Sequence, residues 1–187
     1  MTAALLLVAT GGLGAGILTG RGSARLWLGT TLASVSAAMA AAVTVLLGGG
    51  DWEWRSGFLL GGEPLFFRLD AISAYFLILL CVIAGAGAVY GREYWSDTAH
   101  PRSARSSRGW WSVLVLSLTG VLLAANGLHF LIAWELFTLS AYFLITLDRR
   151  RYEVRAAGWL YLGASHAAVL ALFAFFAILA AQTGSWE

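Results

Sequence analysis

One carboxylate stands inside the apolar run FLIAWELFTLSAYFLI, residues 130–145: Glu135. An ionised carboxylate in hydrocarbon costs about 2.5–3.5 kcal/mol on insertion scales. A glutamate placed there is held neutral by a proton, or charged by a partner. A side chain that exchanges between those states is what a proton path needs. Thr138 and Tyr142, at i+3 and i+7, share its helical face and are expected to hydrogen-bond to a neighbour or a water. His166 lies near the middle of a second apolar stretch, beside Ser165 and Tyr161, and is a further candidate relay. It also fits a plain hydrogen bond between helices. His129, six residues before Glu135, points about 120° away from it and is assigned to the membrane interface. His100 lies in a polar loop and carries no signal. Cys81 is alone, and no Cys/His cluster or CxxC pair exists to hold zinc or an iron–sulfur cluster, so neither metal nor cofactor is expected.

These residues need membrane-spanning helices to place them. The chain is 59% hydrophobic and 12% charged, and its mean hydropathy is +0.76. A soluble domain carries about 25% charged residues. The composition therefore predicts an all-α polytopic membrane protein whose surroundings are the lipid bilayer. Its basic residues lie in loops, so no nucleic-acid partner is expected. The N-terminal stretch lacks a basic region before its apolar run and reads as a retained helix more than as a cleaved signal.

Spans of roughly 20 apolar residues are expected at about 2–19, 26–47, 70–90, 110–125, 128–147 and 156–181, six transmembrane helices in all. The 39 residues from Gly109 to Leu147 would form a helix about 58 Å long, nearly twice the hydrocarbon thickness. Asn126-Gly127 supplies the break. Glu135 then falls about 4 Å from the midplane of the fifth helix. Residues 48–69 read as a small β-hairpin or an interfacial stretch, and 91–109 as a flexible polar loop.

All twelve basic residues are arginine. Ten follow odd-numbered helices: Arg21, Arg25, Arg92, Arg102, Arg105, Arg108, Arg149, Arg150, Arg151 and Arg155. Two, Arg55 and Arg68, follow even-numbered ones. The positive-inside rule places the odd loops in the cytoplasm and both termini outside. Trp27, Trp95, Trp110, Trp111 and Trp159 sit where interfacial anchors belong. Gly12, Gly16 and Gly20 form two successive GxxxG spacings, and Gly163, Ala167, Ala171 and Ala174 a second small stripe; both predict close helix packing.

The segment FRLDAISAYFLILLCVIAGAGAVYGREYW, 67–95, resembles the third-helix region of the antiporter-like membrane subunits of respiratory complex I and of their relatives in hydrogenase-4 and formate hydrogenlyase complexes. FLIAWELFTLSAYFLI resembles the fifth helix of that family, in which a Trp-Glu pair carries the glutamate of the proton path. The WE context and YLGASHAAVLALFAFFAILAAQTGS look closest to the hydrogenase-4 branch. The resemblance covers about 65–185; the first two helices match only in hydrophobicity. It implies a proton-translocating subunit of the cell membrane (bacterial inner membrane) working with other membrane and redox subunits, with no bond chemistry in this chain. It also divides the chain into 1–109, three N-terminal helices with their loops, and 110–187, helices four to six, the start of the first antiporter-like repeat.

Family members have about fourteen helices, and their fifth-helix glutamate pairs with a lysine in helix seven. This chain has no lysine and ends after its sixth helix, so the resemblance implies the N-terminal part of a longer polypeptide, or a split subunit. Because every arginine is expected at or beyond a helix end, the partner cation of Glu135 is expected from outside the chain. Two other readings remain: a membrane scaffold that moves no ions, supported by the missing lysine, and part of a cation/proton antiporter.

Overall fold

The computed structural model describes all residues, Met1–Glu187. Six long helices run back and forth: α1 (Thr2–Thr19), α2 (Ala24–Thr44, continued by a π-helical turn Val45–Gly49), α3 (Ala71–Tyr94), α4 (Ala104–Leu123), α5 (Gly127–Ile145) and α6 (Tyr152–Thr183). Five are long and apolar enough to cross a membrane by themselves; α4 is the exception. The chain is a multi-pass membrane protein. Between α2 and α3 stand two antiparallel strands, β1 (Trp52–Leu60) and β2 (Glu63–Leu69). Of the two forms expected for 48–69, the hairpin is the one formed. Its turn is Gly61-Gly62, with φ of 66° and 89°, a conformation that favours glycine at both positions.

Helix α4 lies centrally, touching α1, α3, α5 and β2. The first glycine stripe explains how closely α1 approaches its neighbours. A Cβ on Gly12 would meet the Ser34 hydroxyl of α2, one on Gly16 the Ser112 hydroxyl of α4, and one on Gly20 the backbone of Gly109. Trp27 is buried in this same junction and donates through Nε1 to Ser112 Oγ at 3.0 Å. It is a core residue, which corrects its assignment as an interfacial anchor: the indole N–H finds a protein partner inside the bundle and has no need of the headgroup layer. Trp159 remains exposed.

Two further expectations change. The segment after α3 is ordered and tied down, not a free loop. The Trp95 ring stacks on His100 at 3.7 Å and its Nε1 donates to Ser103 at 2.9 Å. Arg108, expected in that loop, lies in the first turns of α4 and is buried. It makes two hydrogen bonds to Asp97, 3.0 and 3.1 Å, and a third to the Gly20 carbonyl at 2.9 Å, so one guanidinium fastens α1, α4 and the intervening loop. The second small stripe, Gly163, Ala167, Ala171 and Ala174, lies exposed on α6, and nothing stands within 4 Å of a Cβ built on Gly163. Helix α6 packs on α5 by another face, through Gly158, Val169 and Phe176.

At the other end, Asp70 caps α3. Its Oδ1 accepts from the Ser73 backbone N–H at 2.8 Å, and this bond holds the carboxyl below the ordinary aspartate range. Because the folded value is depressed, the cap contributes fully above the unfolded value near about 4 and is lost as pH falls through the folded one. Asp70→Ala is expected to lower stability at neutral pH by about 0.5–2 kcal/mol. Asp70→Asn should keep the cap and flatten the acid limb, read as melting temperature against pH in detergent.

The candidate proton site

Asn126 starts α5. Its Oδ1 accepts from the Leu128 and His129 backbone N–H groups, at 2.9 and 3.4 Å, which satisfies two of the orphan donors of the first turn. Gly127 then lets α6 come close: a Cβ there would meet the Phe176 ring at 2.7 Å. From this point α5 and α6 run antiparallel, with Phe130 beside Phe176 at one end and Tyr142 beside Trp159 towards the other. At the second end Gly158 gives Thr146 and Tyr142 their space.

Midway between these contacts the structure brings together two of the sequence-predicted residues. His166 Nε2 lies 3.7 Å from Glu135 Oε2. The other ring nitrogen, Nδ1, is 2.9 Å from the Leu162 carbonyl, one turn earlier on α6. A carbonyl only accepts, so Nδ1 carries a proton. Nε2 is therefore the position that gains or loses one. Two states of equal total charge follow: a protonated carboxyl facing a neutral imidazole, and a carboxylate facing an imidazolium. They differ by one proton moved across the gap. At 3.7 Å the atoms are beyond direct hydrogen-bonding distance, so transfer needs a small rotation or one intervening water.

Glu135 and His166 side chains retain 34% and 47% of their exposure, on the open side of the α5–α6 pair. Thr138 is buried and Tyr142 half-buried; neither hydroxyl makes a hydrogen bond to the pair. Of the four residues expected to form a path, two meet and two only share the helix. Within the chain, the group that stands beside Glu135 is this histidine of α6. The sequence offered His166 as a relay but could not align it with Glu135, because the pairing depends on where α5 ends and α6 begins.

His129 corrects a second assignment. It is buried, at 3% exposure, beneath the hairpin, with Nε2 3.3 Å from the Leu60 carbonyl. The roof formed by β1 covers a position that would otherwise be interfacial. Arg108 was also missed as a buried group, since no sequence signal separates an arginine of a first helical turn from one of the preceding loop.

No family model matches the chain. It is similar to Hydrogenase-4 component B of Escherichia coli (strain K12), at 21% identity over 123 residues, covering 66% of this chain and 18% of that protein. The chain thus spans about a fifth of the length of the curated relative it matches. Its fold matches a chain of the membrane-bound sulfane sulfur reductase (MBS), an archaeal respiratory membrane complex, with TM-score 0.71 and 20% identity over 98% of this chain and 28% of that one. It also matches a chain of the Mrp complex from Dietzia sp. DQ12-45-1b, with TM-score 0.77 and 21% identity over 99% of this chain and 20% of that one. The fold is therefore that of one segment of these larger membrane-complex chains.

Proposed function

We propose that this chain is part of a proton-translocating membrane subunit of a multi-subunit, redox-driven complex, and that Glu135 and His166 hand a proton between α5 and α6. The observation that carries the reading is the pair itself: an acid and an imidazole 3.7 Å apart, with the other ring nitrogen already committed to the Leu162 carbonyl. The likeness to a hydrogenase-4 component and to chains of respiratory and Mrp complexes supports the setting. The partners are other membrane and redox subunits, which supply electron transfer and the rest of the ion path. A pair this exposed would be costly against acyl chains, so further protein or water covers it in the working complex.

The test is proton pumping by the assembled complex in vesicles. His166→Gln keeps a polar side chain of similar reach but removes the titratable ring. About tenfold slower pumping or more is expected at unchanged assembly. Unchanged pumping would leave a scaffold that moves no ions, the reading that the absence of lysine favours.

Orientation is part of the proposal. Both termini lie at the hairpin end of the bundle, where Arg55 meets Glu187, and the arginine count puts that end outside. An impermeant thiol reagent added to intact cells should label Ser185→Cys and leave Ser106→Cys unmodified; both positions are exposed, and the native Cys81 is buried. The reverse pattern would invert the topology.

A further inference from the structure

The segment between α5 and α6 carries Arg149, Arg150 and Arg151, and Arg155 follows in the first turn of α6; the carboxylates among them are Asp148 and Glu153. All four arginines have exposed or half-exposed side chains at this end of the bundle. Two are already engaged. Arg155 turns back and donates through Nη1 to the Arg149 carbonyl at 2.8 Å and to the Arg150 carbonyl at 3.1 Å. Arg151 Nε lies 3.8 Å from the Glu153 carboxylate. The guanidiniums of Arg149 and Arg150 meet no carboxylate and no hydrogen-bond acceptor, and Asp148 pairs with neither.

Their setting favours an anion. Arg155 fixes the turn from which both side chains leave, so less freedom is lost when they close on one ligand. It also occupies the carbonyls of both residues, the nearest dipoles that would repel negative charge. The setting is amphipathic as well. Arg149 Cζ stands 5.2 Å from the centroid of the Phe143 ring, and Phe143 stacks on Trp110 of α4 at 4.1 Å. Positive charge thus lies over an aromatic pair at the ends of two spans, the level at which headgroups meet hydrocarbon. Tyr142, the preceding residue, turns instead towards Trp159 of α6. This corner is therefore on the α4 side of α5, while Glu135 faces His166 on the α6 side.

We propose that this corner binds one anionic phospholipid, with its phosphate on Arg149 and Arg150 and the top of an acyl chain beside Phe143. The guanidinium fork matches phosphate oxygens. The rings beneath it suit the glycerol and first methylenes of the lipid, whereas an acidic protein loop would answer the charges and leave the aromatic pair unused. The proposal is independent of proton transfer at Glu135, and it holds for either orientation of the chain.

The experiment uses the protein in its assembly, in vesicles of phosphatidylcholine with a minor share of phosphatidylglycerol. A photoreactive diazirine is carried high on an acyl chain of one lipid or the other, at equal probe concentration. One arginine at a membrane surface favours an anionic over a neutral lipid by about fivefold, so labelling of Phe143 and Tyr152 by phosphatidylglycerol should exceed labelling by phosphatidylcholine by about fivefold or more. Tyr90 and Tyr94 lie exposed at the same end of the bundle on α3, where Arg92 meets Glu93 at 3.4 Å, and should be labelled about equally by the two lipids. Arg149→Gln together with Arg150→Gln should bring Phe143 and Tyr152 to the α3 ratio. Both substitutions keep the backbone carbonyls that Arg155 uses, so the turn persists. A wild-type ratio no higher at this corner than on α3 overturns the site. A high ratio that survives the double substitution overturns the assignment to the two arginines. Absence of labelling by either lipid at Phe143 and Tyr152 overturns the proposal in favour of a contact with another subunit.

Discussion

Glu135→Gln is expected to abolish ion translocation by the assembled complex, by about a hundredfold or more, while leaving the complex assembled. The amide keeps the shape of the side chain and can still donate towards His166 Nε2, which now stands 3.7 Å from the carboxylate. What it loses is the proton that moves. If Glu135 only joined two helices, the substitution would be neutral or stabilising, since an uncharged amide costs less than a carboxylate in the bilayer. Pumping in vesicles at matched assembly decides the matter. Full pumping in the variant removes Glu135 from the path and, with it, the proposal for His166.

The second large effect concerns stability. Gly16→Val should cost about 3–5 kcal/mol, the sum of an overpacked contact and a broken buried hydrogen bond. Even the first added carbon would stand 2.7 Å from Ser112 Oγ, the atom that accepts from Trp27. The hydroxyl has to leave, and the indole N–H is then buried without a partner. Gly16→Ala should show the same direction at smaller size, and most of that cost should vanish when Ser112 is also alanine. Thermal or denaturant unfolding of the four proteins in detergent supplies the cycle. Simple additivity would mean that Gly16 and Ser112 do not share this contact.

The spans of the helices were legible because twenty apolar residues between polar breaks have few other uses. The α4–α5 break was legible for a local reason: Asn126 is a capping residue and Gly127 admits a close neighbour, and both properties are written at those two positions. The glycine stripe of α1 announced close packing, and the structure shows against what. The equally small stripe of α6 announced the same and lies open, because a row of small residues specifies a face without specifying a neighbour. Trp27 and His129 misled for one shared reason. Their depth along a helix was readable, but whether lipid or protein stood beside them depended on α4 in the first case and on the hairpin in the second. Arg108 was hidden by a boundary: α4 begins at Ala104, several residues before its apolar run, and that short extension turns a loop arginine into a buried clamp.

The least apolar of the six helices is the one at the centre. Helix α4 carries Arg105, Arg108, Ser112, Ser117 and Thr119, and unlike the other five it lacks the hydropathy to cross a membrane alone. During synthesis, then, α4 leaves the insertion machinery with a weak claim on lipid. By that time α1 and α3, two of its neighbours, are already made. The groove they present has the Gly20 carbonyl waiting for Arg108 and the space over Gly16 waiting for Ser112, so docking can replace partitioning as the force that draws α4 in. Order along the chain thus becomes order of assembly, and an early lesion in α1 would surface later, as a fourth segment left stranded at the membrane surface.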